Sequence, residues 1–285
     1  MNQEIINLFD EYTHKPLSRE VFMKRLAKLT GSTAAALAVL PLLEVNYAHA
    51  ATVSENEEDL IIENITYTGE DATMRGYMAK PKATNSKLGA VVVIHENRGL
   101  NPHIKDVARR VAKAGYLAMA IDALSPFGGT PPNEDEARAL FAKLDNQKNI
   151  SNFLKGLEYL RARPESNGKV ACVGFCWGGG LANQLAVHDP KLNAAVAYYG
   201  RQADAADVPK IKARLQLHYG GLDERVNAGI PAYETALKAA GTQYELYVYE
   251  GANHAFNNDT APTRYSPEAA KLAWERTLRL FKETL

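Results

Sequence analysis

The sequence predicts an α/β chain, a mostly parallel, doubly wound sheet of about eight strands with helices on both faces. Short apolar runs are the first sign: Ala90–His95, Tyr116–Ile121, Val170–Val173 and Ala194–Tyr199, with Leu215–Tyr219 read as a further strand. Runs of that kind, without alternation, suit strands buried on both faces, as parallel strands are. Helix-spaced segments lie between them, at Pro102–Ala114, Asn133–Leu144 and Ile150–Arg163. Strand alternating with helix is the pattern of a parallel sheet wound on both sides. The third sign is length, since 285 residues can bury one large core.

Leu60–Thr68 and Thr73–Ala79 alternate polar and apolar side chains, which predicts an opening antiparallel pair. Asn101 is the expected cap of the helix over Pro102–Ala114 and Gly115 its stop. Gly128-Gly129-Thr130-Pro131-Pro132 reads as a loop. Tyr244–Tyr249 is the last expected strand, and Ile230–Ala240 and Pro267–Leu285 are the last expected helices. The acidic stretch Glu55–Asp59 marks a boundary, dividing the chain into 1–55 and a catalytic domain over 56–285. No repeat or low-complexity tract interrupts that domain.

Lys plus Arg and Asp plus Glu number 33 each, so no charge field directs the chain to nucleic acid. An apolar content of 46% fits a soluble globule. The two cysteines, Cys172 and Cys176, fall in a strand and in the turn after it, which disfavours a disulfide between them. No Cys/His cluster at ligand spacing points to zinc, and no cofactor is expected.

Residues 1–55 read two ways. Lys24, Arg25 and Lys28 precede the apolar Ser32–Leu43, and Ala48-His49-Ala50 follows as a small-x-small site, the layout of a bacterial export signal. Ser18–Lys24 resembles a twin-arginine signal, with Glu20 where the second arginine belongs. On that reading the protein is exported to the periplasm. The other reading is a retained helical extension in a cytoplasmic protein. Gln3–Thr13 and Ser18–Leu29 both carry helix-spaced apolar residues, with Ser18 as cap. Such an extension could also mediate a homo-oligomer. The apolar stretch is too short to form a stable membrane span.

The chemistry concentrates in Gly174-Phe175-Cys176-Trp177-Gly178-Gly179-Gly180. A strand before it and a helix after it place Cys176 at the tip of a sharp turn. This is the nucleophile elbow of the α/β-hydrolase fold, with Cys in place of Ser. The flanking glycines relieve crowding, and the helix N-terminus favours a thiolate. In that fold an acid and then a histidine follow the nucleophile in the chain. Asp223, past the strand ending at Tyr219, fits the acid, with Glu224 as its nearest alternative. His254, on the loop after Tyr249, fits the base, whereas His188 and His218 fall within elements. His95-Glu96-Asn97-Arg98-Gly99 begins like a zinc-protease motif, but Gly99 replaces the second histidine. A loop at that place supplies one oxyanion N–H, and the residue after the nucleophile supplies the other. These are the backbone N–H groups of Asn97 and Trp177.

Four motifs in order, His95–Leu100, Gly174–Gly179, Gly220–Asp223 and Asn253–Phe256, resemble the dienelactone hydrolase family. Within it the chain is similar to the bacterial branch with an H-E-N-R-G loop, over about Ile62 to the C-terminus. The resemblance implies a Cys-Asp-His triad falling on Cys176, Asp223 and His254. It also implies a glutamate in contact with the resting thiol, which falls on Glu96. The expected reaction is hydrolysis of a small-molecule ester or lactone through a thioacyl-enzyme. The family's two substrate-binding arginines are missing. Asn258 stands four residues after His254, and Ala123–Thr130 holds no arginine. Arg98, Arg201 and Arg264 are the candidates to replace them. A non-catalytic binding protein on the same fold is the alternative.

Overall fold

The computed structural model describes residues 1–15, 17–46 and 52–285. Eight strands form one sheet: β1 (Leu60–Thr68), β2 (Thr73–Pro81), β3 (Leu88–Ile94), β4 (Leu117–Asp122), β5 (Ser166–Phe175), β6 (Ala194–Tyr198), β7 (Arg214–Gly220) and β8 (Tyr244–Tyr249). Their order is β1-β2-β4-β3-β5-β6-β7-β8. β1 pairs antiparallel with β2, and β2 with β4; every other pair is parallel. This is the α/β-hydrolase fold that the strand–helix alternation predicted.

Side chains alternate across the sheet and fill two cores, as a strand period of two requires. Val92, Ile94, Met119, Ile121 and Cys172 face one layer, formed by α6 (Asn146–Ala162), α7 (Trp177–His188) and α9 (Ile230–Ala240). Val91, Val93, Ala118, Ala120, Ala171 and Val173 face α4 (Pro102–Lys113) and α10 (Pro267–Thr284) on the other side. The central strands β3, β4 and β6 read as continuous apolar runs because both faces are covered.

Helix ends depart from expectation where a cap decides them. The segment read as starting at Ile150 begins at Asn146, since Asp145 accepts from the Lys148 N–H at 3.0 Å. α5 (Glu134–Phe141) starts after Asn133, whose side chain takes the Asp135 and Glu136 N–H groups, and it ends before Leu144. A short α8 (Glu224–Asn227) follows Asp223, its N-cap.

The N-terminal region forms α1 (Gln3–His14), α2 (Arg19–Thr30) and α3 (Thr33–Leu43). They share a third core of Phe9, Tyr12, Phe22, Leu26, Ala36, Leu40 and Leu43. α3 occupies the apolar stretch that the sequence also offers as a signal core. Ser32 caps it through the Ala35 N–H at 3.1 Å. Among the described residues no single helix is long and apolar enough to cross a membrane, and α2 and α3 meet at a bend of 109°. Ala48-His49-Ala50 lies outside the described residues.

Candidate active site

The strand order turns back between β3 and β5, and ligands of α/β sheets bind outside the strand ends at such a point. Cys176 sits there, between the last residue of β5 and the first of α7, at φ 55 and ψ −113. A non-glycine residue in that region is strained and is held by its surroundings. The Cys176 N–H donates to Tyr198 O at 3.0 Å. The glycines are needed for space rather than for torsion. A Cβ on Gly174 would lie 1.9 Å from Gly178 O, and one on Gly178 would lie 2.4 Å from Ile94 O.

Loops after β7 and β8 bring Asp223 and His254 together. His254 Nδ1 and Asp223 Oδ2 are 2.5 Å apart, with both side chains buried. Asp223 Oδ1 accepts from the Val226 N–H at 3.3 Å, so the start of α8 orients the carboxylate. Donation from His254 Nδ1 leaves the lone pair on Nε2, which is buried and makes no hydrogen bond among the described residues. A ring nitrogen of His254 and Cys176 Sγ lie within 4.8 Å. The rejected alternatives lie elsewhere. Glu224 is exposed on α8, His188 is the exposed last residue of α7, and His218 is buried inside β7.

Asn97 follows β3, and its side-chain Nδ2 donates to Thr13 O at 2.7 Å. Trp177 opens α7, where a helix leaves its first N–H groups without an internal acceptor. His95 is buried with Nδ1 against Glu96 O at 2.6 Å and Nε2 accepting from the Ala123 N–H at 3.1 Å. Both ring nitrogens are therefore engaged in shaping the loop. His95 also stacks on Trp177, ring centroids 5.6 Å apart.

Glu96 is buried, as expected of a residue at the site, but among the described residues it makes no hydrogen bond to the thiol. Its Oε2 accepts from Asn258 Nδ2 at 3.0 Å, and its Oε1 has no hydrogen-bond partner. Burial works against the charged form. His103, Arg264, Arg98 and His254 outweigh it and hold Glu96 below the usual carboxylate range. The three candidate arginines divide. Arg98 and Arg264 are buried beside Phe9 of α1, with their guanidinium carbons 6.0 and 5.3 Å from its ring centre. Arg98 also pairs with Glu134 at 3.2 Å. Arg201 is exposed and lines a cavity of about 720 Å³ that reaches Cys176.

The residue that sequence reading missed is His14. Its Nε2 lies 3.0 Å from Cys176 Sγ, and its ring meets that of His254 edge-on with centroids 4.7 Å apart. His14 Nδ1 faces Asp10, 2.8 Å from its carbonyl and 3.1 Å from its Oδ1. The signal was an Asp-x-x-x-His spacing on a helix, which by itself reads as an ordinary surface pair. α1 is fixed over the site by several polar contacts. Gln3 Nε2 donates to Asn253 Oδ1 at 2.6 Å, and Arg225 Nε pairs with Asp10 Oδ2 at 3.2 Å. Tyr12, His14 and Lys15 consequently form part of the cavity wall.

One ring nitrogen each from His14 and His254, and Cys176 Sγ, lie within 4.8 Å of one another. Two such ligands on one tetrahedral zinc would stand about 3.6 Å apart, given bonds near 2.1 and 2.3 Å. The 3.0 Å between His14 Nε2 and Sγ is instead a hydrogen-bond distance.

Comparison with known proteins agrees with this architecture. The dienelactone hydrolase family matches residues 74–285. A protein of Escherichia coli K12 named "Putative carboxymethylenebutenolidase" is 32% identical over 250 residues, covering 82% of this chain and 92% of that one. A protein of the same name from Saccharolobus solfataricus is 34% identical over 250 residues, covering 74% and 95%. A crystal structure from Klebsiella pneumoniae, named a "Putative Dienelactone Hydrolase", superposes with a TM-score of 0.70 at 29% identity, over 78% of this chain and 98% of that one. With the elbow, the sheet and these matches in agreement, the chain belongs to the dienelactone hydrolase family and is a hydrolase of ester or lactone bonds.

Proposed function

We propose that the hydrolysis runs through Cys176, with His254 and Asp223 as its acid–base pair. The supporting observation is the thiol on the strained elbow beside a buried imidazole whose other nitrogen is tied to a carboxylate. A thiolate at a helix N-terminus is a competent nucleophile. It attacks the carbonyl carbon, and the carbonyl electron pair moves onto oxygen. The Asn97 and Trp177 N–H groups face that oxyanion, each worth about 3 kcal/mol of transition-state stabilisation. Collapse expels the alkoxide, which takes up the proton that the thiol had given to a neighbouring imidazole, and leaves an S-acyl thioester. Water deprotonated by His254 Nε2 then releases the acid and the thiolate.

The cavity favours an anionic substrate. Basic residues outnumber acidic ones on its wall, but Arg138 and Arg225 are committed to Asp135 and Asp10. Arg201 makes no side-chain hydrogen bond or ion pair among the described residues. We assign it to a carboxylate on the substrate, a role for which a guanidinium fork is suited. The substrate is then a small ester or lactone carrying a carboxylate remote from the scissile bond.

Turnover of p-nitrophenyl acetate by the Cys176→Ala protein is the test. Loss of turnover, with an acetyl adduct on Cys176 of the parent protein in quenched mass spectra, is the expected result. Undiminished turnover would overturn the nucleophile assignment. The alternative, a binding protein on this fold, requires that the parent protein itself release no product from any ester.

A further inference from the structure

We propose that His14 is a catalytic residue, the proton acceptor of the Cys176 thiol and the acid that later protonates the leaving group. The proposal rests on Cys176 being the nucleophile. Two imidazoles, each with an aspartate beside its other nitrogen, converge on one sulfur. His254 is hydrogen-bonded to the Asp223 carboxylate at 2.5 Å, whereas His14 Nδ1 is hydrogen-bonded to the Asp10 carbonyl at 2.8 Å with the Asp10 carboxylate alongside at 3.1 Å. Among the described residues only His14 makes a hydrogen bond to the sulfur, at 3.0 Å, while His254 Nε2 makes none. His14 is placed by α1, whose last turn is held against Asn97 and whose Phe9 lies between Arg98 and Arg264.

The surroundings of His14 favour its charged form. Burial opposes that charge, and His254 repels it, but the thiol and Asp10 outweigh both and raise the His14 pKa. Asp10 stays ionised despite burial because His254, His14 and Arg225 surround it. Among the described residues Glu96, Arg98, Arg264 and Tyr199 are further titratable groups near the sulfur. A raised imidazole beside a thiol is the setting of a thiolate–imidazolium pair.

The proton path then has two parts. In acylation the S–H bond breaks, its electron pair stays on sulfur, and an N–H bond forms at His14 Nε2. When the tetrahedral adduct collapses, that proton passes to the leaving alkoxide, and His14 is neutral again. In deacylation His254 Nε2 takes a proton from water, hydroxide adds to the thioester, and the C–S bond breaks to return the thiolate. The proton on His254 then returns to the Cys176–His14 pair. One imidazole serves the alcohol half of the reaction and the other serves the water half.

Alkylation of Cys176 by iodoacetamide in EDTA, located by peptide mass, tests this without needing esterase activity. In His14→Gln the rate at pH 6 should fall at least about tenfold, while at pH 9.5 it stays within about threefold of the parent. His254→Gln should keep most of the pH 6 reactivity. Asp10→Asn should give an intermediate loss. In rapid-mixing experiments with p-nitrophenyl acetate, His14→Gln should slow the burst and leave the steady deacylation rate of the acyl-enzyme nearly unchanged. Unchanged or faster alkylation of His14→Gln at pH 6 would overturn the proposal, because His14 would then only shield the sulfur. Reactivity lost in His254→Gln and kept in His14→Gln would overturn it as well. A protein that is alkylated as predicted but hydrolyses no ester would retain the thiolate pair and refute the hydrolytic role of Cys176, so the two failures are distinct.

Discussion

Asn258 Nδ2 donates to Glu96 Oε2 at 3.0 Å, so the residue standing where a family arginine belongs ties down the buried glutamate. Asn258 is itself fixed, since its Oδ1 accepts from the Thr260 N–H at 3.0 Å and from Thr260 Oγ1 at 2.6 Å. The other carboxylate oxygen, Glu96 Oε1, is buried without a hydrogen-bond partner among the described residues. Asn258→Ala therefore strips the last hydrogen bond from a buried carboxylate. The expected cost is about 1–3 kcal/mol of stability, read from urea unfolding midpoints at neutral pH. A midpoint unchanged from the parent would mean that Glu96 finds another donor.

That bond also shows where sequence reading stopped. The sheet was legible because its central parallel strands β3, β4 and β6 are apolar without interruption, and the elbow because glycines flank Cys176 at spacings that only a close backbone approach explains. Asp223 and His254 followed from chain order. What was not legible depends on tertiary docking. Nothing in Asp10 or His14 announces that α1 will lie across the strand ends. Their spacing is that of any helical surface pair, and the segment carried a competing reading as an export signal. The three arginines looked equivalent in sequence, and burial separates them. Arg98 and Arg264 are enclosed against Phe9, and Arg201 faces the cavity. Among the described residues Glu96 hydrogen-bonds Asn258, and the hydrogen bond to sulfur comes from His14.

Arg201→Ala separates substrates by charge. With a monoester of a short dicarboxylic acid, KM should rise by about tenfold, roughly 1.4 kcal/mol. With the matching neutral diester it should change by less than about twofold. The change should appear in KM more than in kcat, because the contact is made in the ground state and the transition state alike. Equal effects on both esters would remove Arg201 from substrate binding.

His218 governs part of the acid sensitivity. Its imidazole is buried between aromatic rings, with Nδ1 at 2.8 Å from Tyr249 Oη and Nε2 at 3.0 Å from Gln216 Oε1. Burial disfavours its cation, and Arg276 adds to that, so its pKa is pushed down to about 3. In the unfolded chain a histidine titrates near 6.5. Between those values the unfolded state binds one proton more than the folded state. Folding stability therefore falls as pH drops below about 6.5, and the loss ends near pH 3. One such group contributes about 1.4 kcal/mol per pH unit inside the window. His218→Asn, although less stable throughout because its hydrogen bonds are altered, should lose stability less steeply from pH 6 to pH 4. The slope of unfolding free energy against pH should drop by about one proton, measured by urea titrations at pH 6, 5 and 4. A variant slope equal to the parent's would show that His218 is protonated in the folded protein across that range.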